Sequence, residues 1–441
     1  MAPAAAAAPV SWNLQSKIQD FKFTCPEHVR EIRDRVLRFV EDEVYPVEER
    51  LRLLHIARRA GKPVDHTLEG KWVTELQQKA KAKGLWALGH PKEIGGGGMP
   101  FRDYLYVNEI QGRSELAPLA LGTFSLQDSL MLLNHGSESI KQTYLHKLVQ
   151  AEVYPSFAMT EPDVVSSDPT GIQTSARLEG NEWVITGRKW FTTNAKHAAF
   201  TSVMVKTEHD QGISPYASFS IILVPTNTPG YNIIRSTPVL GIDSHDHSEV
   251  VYDNVRVPAS NLLGKRGAGF LISQERLGPG RIFHAMRWIG VMQRAFDIMC
   301  KRLVERKFRT GVLGDAQLMQ QLVFDSYCDI QAHRLMTLAA AEKLDSGEYA
   351  RIELAAAKAW GARALGRVVD RAMQSFGAKA LTDDTPLGEM YRLARSARYY
   401  DGPDETHVEN VGRLVLAQYK KNNAWDFALS KAVPAPKAPK L

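Results

Sequence analysis

Near the end of the chain, Asp401-Gly402-Pro403-Asp404-Glu405-Thr406-His407 puts three carboxylates into a loop that enters a helical pattern. Two kinds of chemistry suit such a loop. Side-chain oxygens there accept the free amides of a helix's first turn, and a positioned carboxylate acts as a general base. Residue types alone leave both open. A second cluster lies at residues 157 to 194, where Phe157, Met159, Thr160, Glu161 and Pro162, then Ser166, Ser167 and Asp168, then Lys189, Trp190, Phe191, Thr192 and Thr193 set small polar donors and two aromatics around a short hairpin. A flavin needs such surroundings: a fixed ring and local donors that stabilise negative charge on its reduced form. On a strand, Trp190 and Phe191 also suit a plain β-sheet core.

The elements that must position these groups fall into three stretches. The first is helical: Thr24 caps, Pro26 sits in the first turn, and Val29, Ile32, Val36, Phe39 and Val40 recur at spacings of three and four. Further helices are expected at about 70 to 83, 102 to 113, 122 to 134 and 138 to 149. The glycine run Gly95 to Gly98 reads as a surface loop, because no Lys-Ser/Thr pair follows it. From about Tyr154 the texture is that of strands. Leu178 to Ile185 forms a hairpin around Gly180-Asn181, and Thr201 to Lys206, Phe219 to Val224 and Val250 to Val257 are β-branched runs bounded by Pro and Gly. After Gly269 long helical patterns return near 279 to 307, 315 to 345, 350 to 376, 386 to 399 and 405 to 424, as in a bundle. Helices, strands and helices in succession, without βαβ alternation, predict an α+β multidomain protein. The expected boundaries are 1–20 for a disordered arm, 21–153 for the first helical domain, 154–268 for the β domain, 269–425 for the bundle and 426–441 for a Pro/Lys tail.

Composition narrows the setting. The 441 residues are 44% hydrophobic, enough for two or three cooperating units. A charge of +6 suits an anionic small molecule and is too modest to point to nucleic acid. Cys25, Cys300 and Cys328 have neither zinc-site nor disulfide-framework spacing, so no metal is expected and a reducing compartment fits. No apolar run is long enough to span a membrane. An intracellular soluble protein of cytoplasm or mitochondrion is expected, with Pro439-Lys440-Leu441 approximating a peroxisomal address.

The ordered set from Met159 to Thr193 resembles the signature of the acyl-CoA dehydrogenase family. The resemblance runs from Leu85-Trp86 through His135-Gly136-Ser137-Glu138 to Tyr391-Arg392-Leu393-Ala394-Arg395 and the acidic loop. It implies an N-terminal helical domain, a middle β domain and a C-terminal four-helix bundle with FAD between them. By this match Phe157, Met159, Thr160, Ser166, Ser167, Trp190, Phe191 and Thr193 serve the flavin, and Glu405 and Thr406 also touch the cofactor. Arg306, Gln374 and Gly377 reach the FAD of a neighbouring subunit in a homodimer or homotetramer. Ser167, Gly280 and Arg281 contact the acyl-CoA. His284 and Arg287, each three residues further along the same helix, extend positive charge toward one pocket.

Matching Thr406 to the family's threonine places Asp404 at the position of the catalytic carboxylate. Asp-Gly-Pro-Asp-Glu, Gly278-Pro279-Gly280-Arg281-Ile282 and Pro162-Asp163-Val164-Val165-Ser166-Ser167 are similar to the branch fused to a kinase domain, in which an aspartate is the base, although no kinase-like segment occurs here. The implied reaction removes a proton α to a thioester carbonyl as hydride passes to flavin N5, giving a 2-enoyl-CoA. Electrons then go to an electron-transfer flavoprotein or to oxygen. Alternatives are an oxidase of the nitroalkane-oxidase type on the same fold, and a DNA-associated flavoprotein relative.

Overall fold

The computed structural model describes residues 25 to 422 except 167, 209–211, 213, 241–246 and 349. Thr24, the expected first cap, lies outside them, and Pro26 occupies the cap position of α1 (Glu27–Phe39). A π-helical turn, Val40–Val44, carries the chain into α2 (Tyr45–Arg59), which the sequence reading passed over. Then come α3 (Leu68–Ala82), α4 (Phe101–Gln111) and α5 (Leu126–His135). Gly122 and Thr123, expected inside a helix starting at 122, instead link a short turn at Ala117–Ala120 to α5.

Strands β1 (Pro155–Ala158), β2 (Ser175–Glu179), β3 (Glu182–Thr193), β4 (Phe200–Lys206), β5 (Phe219–Pro225), β6 (Tyr231–Ser236), β7 (His247–Pro258) and β8 (Leu262–Leu263) form one mixed sheet in the order β6-β7-β3-β2-β4-β5-β8, with β1 parallel to β4. The hairpin at Gly180 is present, Glu179 pairing with Glu182. Alternation along β3 buries Trp183 and Ile185 with Val203 and Tyr252 on one face.

The third stretch is all helix: α6 (Gly269–Glu305), α7 (Gln317–Asp345), α8 (Arg351–Phe376), α9 (Leu387–Ser396) and α10 (Asp404–Asn422). Helix α6 begins ten residues before the expected start, because Pro279 lies inside it. It is the axis of the molecule. Its buried Phe283, Trp288 and Ile289 share a core with Val36, Tyr104 and Leu105 of the first helices and Leu365 and Val368 of α8. Ile272, near its start, joins Leu132 of α5 and Phe200 and Ile221 of the sheet. One helix therefore sets the spacing between all three stretches.

Close approach at Gly290 makes that packing possible: a Cβ there would lie 2.0 Å from the Glu109 carbonyl oxygen of α4. Gly290→Ala is expected to destabilise the protein by about 3 kcal/mol through overpacking against backbone. Gly278→Ala, whose new methyl meets nothing within 4 Å, is expected to change little. Denaturant midpoints of the two variants check the difference.

Candidate active site

The hairpin cluster is built by β1 and β3. After Ala158 the chain leaves the sheet as Met159-Thr160-Glu161, and two bonds tie it to β3: Trp190 N–H donates to the Thr160 carbonyl at 3.1 Å, and the Thr160 hydroxyl donates to the Trp190 carbonyl at 3.0 Å. Below them Lys189, fully buried, donates to the Met159 carbonyl (2.8 Å) and to Glu161 (2.9 Å). Glu161 also accepts the amides of Gln173 and Thr174 at 2.8 and 2.9 Å. Burial alone would push its carboxyl up, but the Lys189 ammonium and these donors outweigh that and hold it below the usual range. This buried pair makes the segment rigid.

On that base the register between β3 and β7 slips between Lys189 and Thr192, and Phe191 stands at φ 48° with 42% of its surface exposed. A left-handed backbone under a phenylalanine is strained, and such strain concentrates at ligand sites. Trp190 packs against Phe191 edge-on at 5.0 Å, and Thr193 shares a hydrogen bond with His247 at 3.0 Å. The result is an open aromatic face flanked by hydroxyls. Such a platform has the chemistry to receive a flat, polar-edged ring such as a flavin. Ser166 is exposed, and Ser167 lies outside the described residues.

In the acidic loop, Asp401 and Asp404 have different surroundings. Asp404 is fully buried at the start of α10, and one of its oxygens accepts from Arg363 at 3.1 Å and from Arg398 at 2.8 Å. Lys358, an isolated cation in the Ala-rich run of α8, stands 3.9 Å from the other oxygen and donates to the Gly402 carbonyl at 2.6 Å. Asp404, the expected base, thus has one oxygen held by two arginines and the other buried near Lys358 without a hydrogen bond. Three cations, two on α8 and one in the segment before the loop, thereby tie the loop to the bundle at Asp404.

Asp401 stands at φ 55°, the conformation that Asn and Asp adopt more readily than other side chains. Its carbonyl oxygen accepts from Arg281 at 3.3 Å and pairs with the His407 ring at 3.1 Å. Its carboxylate Oδ2 is buried, makes no hydrogen bond within the described residues, and lies 3.4 Å from His284 Nε2. In lacking a hydrogen bond it matches Oδ1 of Asp404, but no arginine bonds to the Asp401 carboxylate among the described residues.

The positive charge expected of His284 is opposed by its surroundings: burial, with Arg287 adding to it, pushes the imidazole down to about 4. Arg281 supplies positive charge beside Asp401, its own pKa lowered by burial and supported by Asp401. Gly280 sits behind Gln127: a Cβ there would be 1.8 Å from the Gln127 amide nitrogen.

Between α5 and α6 opens a small cavity of about 30 Å³, lined by Gln127, Leu130, Asn134, Glu275, Arg276 and Phe283 among others. Arg276 joins the two clusters. It pairs with the buried Asp128 through two bonds of 3.1 and 3.0 Å, lies 4.5 Å over the Phe157 ring, and interacts electrostatically with Asp401. Sequence spacing gave no hint of Arg276 and Asp128, and the signal for Lys358, a lone cation among alanines, passed unused.

Arg306, Gln374 and Gly377 are all exposed. Arg306 caps the C-terminal end of α6 and Gln374 and Gly377 lie at the C-terminal end of α8, two helix ends joined by Arg302, 5.1 Å over the Phe376 ring. Glu405 is exposed and Thr406 partly buried in the first turn of α10.

Three family models cover the chain: the acyl-CoA dehydrogenase N-terminal domain at residues 26–152, the middle domain at 156–255 and the C-terminal domain at 267–416. The chain belongs to the acyl-CoA dehydrogenase family. Its members are FAD-dependent oxidoreductases acting on CH–CH groups, and the expected three-part fold agrees with the matched models. The chain is 39% identical to "Probable acyl-CoA dehydrogenase FadE2" of Mycobacterium tuberculosis, across 83% of this chain and 91% of that protein. It is 34% identical to human acyl-CoA dehydrogenase family member 11 over 89% of this chain, and spans about half (51%) of that longer protein. Among solved structures, a candidate acyl-CoA dehydrogenase from Mycobacterium abscessus superposes with a TM-score of 0.85 at 33% identity, covering 90% of this chain and all of the other. Among the described residues no helix is long and apolar enough to cross a membrane.

Proposed function

We propose that this acyl-CoA dehydrogenase family member desaturates an acyl-CoA thioester between its α and β carbons, with Asp401 as the base. The observation that carries the reading is the contrast between two carboxylates that each bury an unbonded oxygen: the other oxygen of Asp404 is taken by Arg363 and Arg398, whereas Asp401 is held through its main-chain carbonyl by Arg281 and lies in electrostatic reach of the arginine that covers Phe157. FAD, when bound, supplies the acceptor for the β hydride. Asp401 takes the α proton, and the electron pair of that C–H bond forms the new double bond as the hydride leaves. Lys358, Arg363 and Arg398, acting on Asp404, hold the loop so that Asp401 approaches one face of the substrate. The buried Asp128–Arg276 pair holds its guanidinium over Phe157, between the cavity and the flavin platform. Phe157, Met159, Thr160, Trp190, Phe191 and Thr193 receive the ring, and the exposed Arg306 and Gln374 serve the FAD of a second copy. An electron-transfer flavoprotein is the acceptor consistent with this chemistry.

Anaerobic titration of the FAD-loaded protein with a series of acyl-CoA esters tests the reading. At least one ester is expected to bleach the flavin and yield the 2-enoyl-CoA, with slow re-oxidation by oxygen. A protein that holds FAD and is bleached by none of them would contradict it, and rapid re-oxidation by oxygen would indicate an oxidase.

A further inference from the structure

We infer that His284 is a positioning residue for proton abstraction, its Nε2–H directed by Arg287 at the carboxylate of Asp401 and setting the rotation of that group. The inference rests on the assignment of Asp401 as the base. Its starting point is a hydrogen bond. Arg287 Nη2 lies 2.9 Å from His284 Nδ1, one helical turn away on α6. A guanidinium has donors and no acceptor, so Nδ1 must be the acceptor and the ring proton must sit on Nε2. Nε2 lies 3.4 Å from Asp401 Oδ2, facing it but not hydrogen-bonded to it in this structure, so the bond forms on a small rotation of the carboxylate.

The imidazole has little freedom to turn away. Tyr400, the residue before Asp401, packs on it at 4.9 Å, and Trp288 lies 6.3 Å away and donates to the Tyr400 hydroxyl at 2.7 Å. The backbone of Asp401 is fixed as well, its carbonyl oxygen engaged by Arg281 and His407. What remains mobile is the carboxylate itself, and the Nε2–H is placed to orient it. A neutral donor suits this task, because it directs an oxygen without pairing off the charge that must accept a proton. The charged and titratable groups around Asp401 are Arg276, Arg281 and Arg287 of α6, Lys358 of α8, and Tyr400 and His407 of its own segment. Each differs from His284 in being a cation, in holding main chain, or in bonding elsewhere.

The experiment is rapid-mixing flavin reduction by a bleaching acyl-CoA ester, followed across the pH range, for His284→Leu, His284→Gln and Asp401→Asn in the FAD-loaded protein. His284→Leu is expected to reduce about 10 to 100-fold more slowly with normal FAD content, and its acidic limb to move to higher pH by about one unit, because a lost donor to a carboxylate favours the protonated form. His284→Gln, whose amide N–H reaches toward the same oxygen, is expected to recover most of the rate and the native limb. If His284→Leu fails to hold FAD, His284→Asn takes its place: its amide is too short to reach Asp401, and it must show the slow rate and displaced limb. An unmoved limb in the slow variant, or equal losses in leucine and glutamine variants, would overturn the positioning role. The two failures separate. Near-native reduction by Asp401→Asn removes the base assignment and this inference with it, whereas an inert Asp401→Asn beside a native-like His284→Leu removes this inference alone.

Discussion

Asp401→Asn is expected to retain FAD and acyl-CoA while its flavin is reduced about 10²–10⁴-fold more slowly than in the native protein, the range for loss of a general base. The substitution is close to isosteric, and asparagine tolerates the left-handed backbone that Asp401 adopts at φ 55°. The bonds that fix this residue, from Arg281 and His407, go to its main-chain oxygen and survive the change. Only the capacity to accept a proton is removed. Stopped-flow absorbance under anaerobic conditions measures the rate, and FAD content and circular dichroism report on folding. Reduction within a few-fold of native would sink the assignment and return attention to Asp404.

Both carboxylates were legible in the sequence, and the choice between them was not. Anchoring on Thr406 selected Asp404. The property that distinguishes the two is the position of cations on other helices: Lys358 and Arg363 of α8 and Arg398 after α9 converge on Asp404, tens of residues away in sequence in two of the three cases. No local spacing records that convergence. The flavin platform was easier to read, because Met159, Thr160, Trp190, Phe191 and Thr193 lie on two adjoining segments that main-chain bonds bring together. The order of helices, strands and helices was also plain in periodicity. The departures have local causes. Pro279 reads as a helix boundary, yet α6 passes through it, so ten residues of that helix were missed. Helix α2 follows a π turn that breaks the 3.6-residue period, and β6 is mostly exposed and lacks the apolar alternation of its neighbours.

Asp404→Asn is expected to lower stability by about 2–3 kcal/mol at neutral pH while leaving flavin reduction within about tenfold of native. Removing one partner of a buried ion pair strands the other, at roughly 3–5 kcal/mol when both are enclosed. Here Arg363 and Arg398 are 44% and 38% exposed, so solvent reduces their share, and the loss falls chiefly on the buried Lys358. Burial already pushes the Lys358 ammonium down to about 8, against the opposing pull of Asp404 and then Asp401. Without the Asp404 charge its proton is held more weakly. The sign of the pH dependence follows. A lysine with a folded value of about 8 and an unfolded value near 10.4 leaves the unfolded chain holding more protons between those limits, so stability rises with pH across that window. In Asp404→Asn the window opens at lower pH, and the destabilisation seen at pH ~7 is expected to shrink toward pH ~9. Urea midpoints at the two pH values measure it. A variant of native stability whose flavin reduction falls by more than about 10²-fold would instead make Asp404 the base.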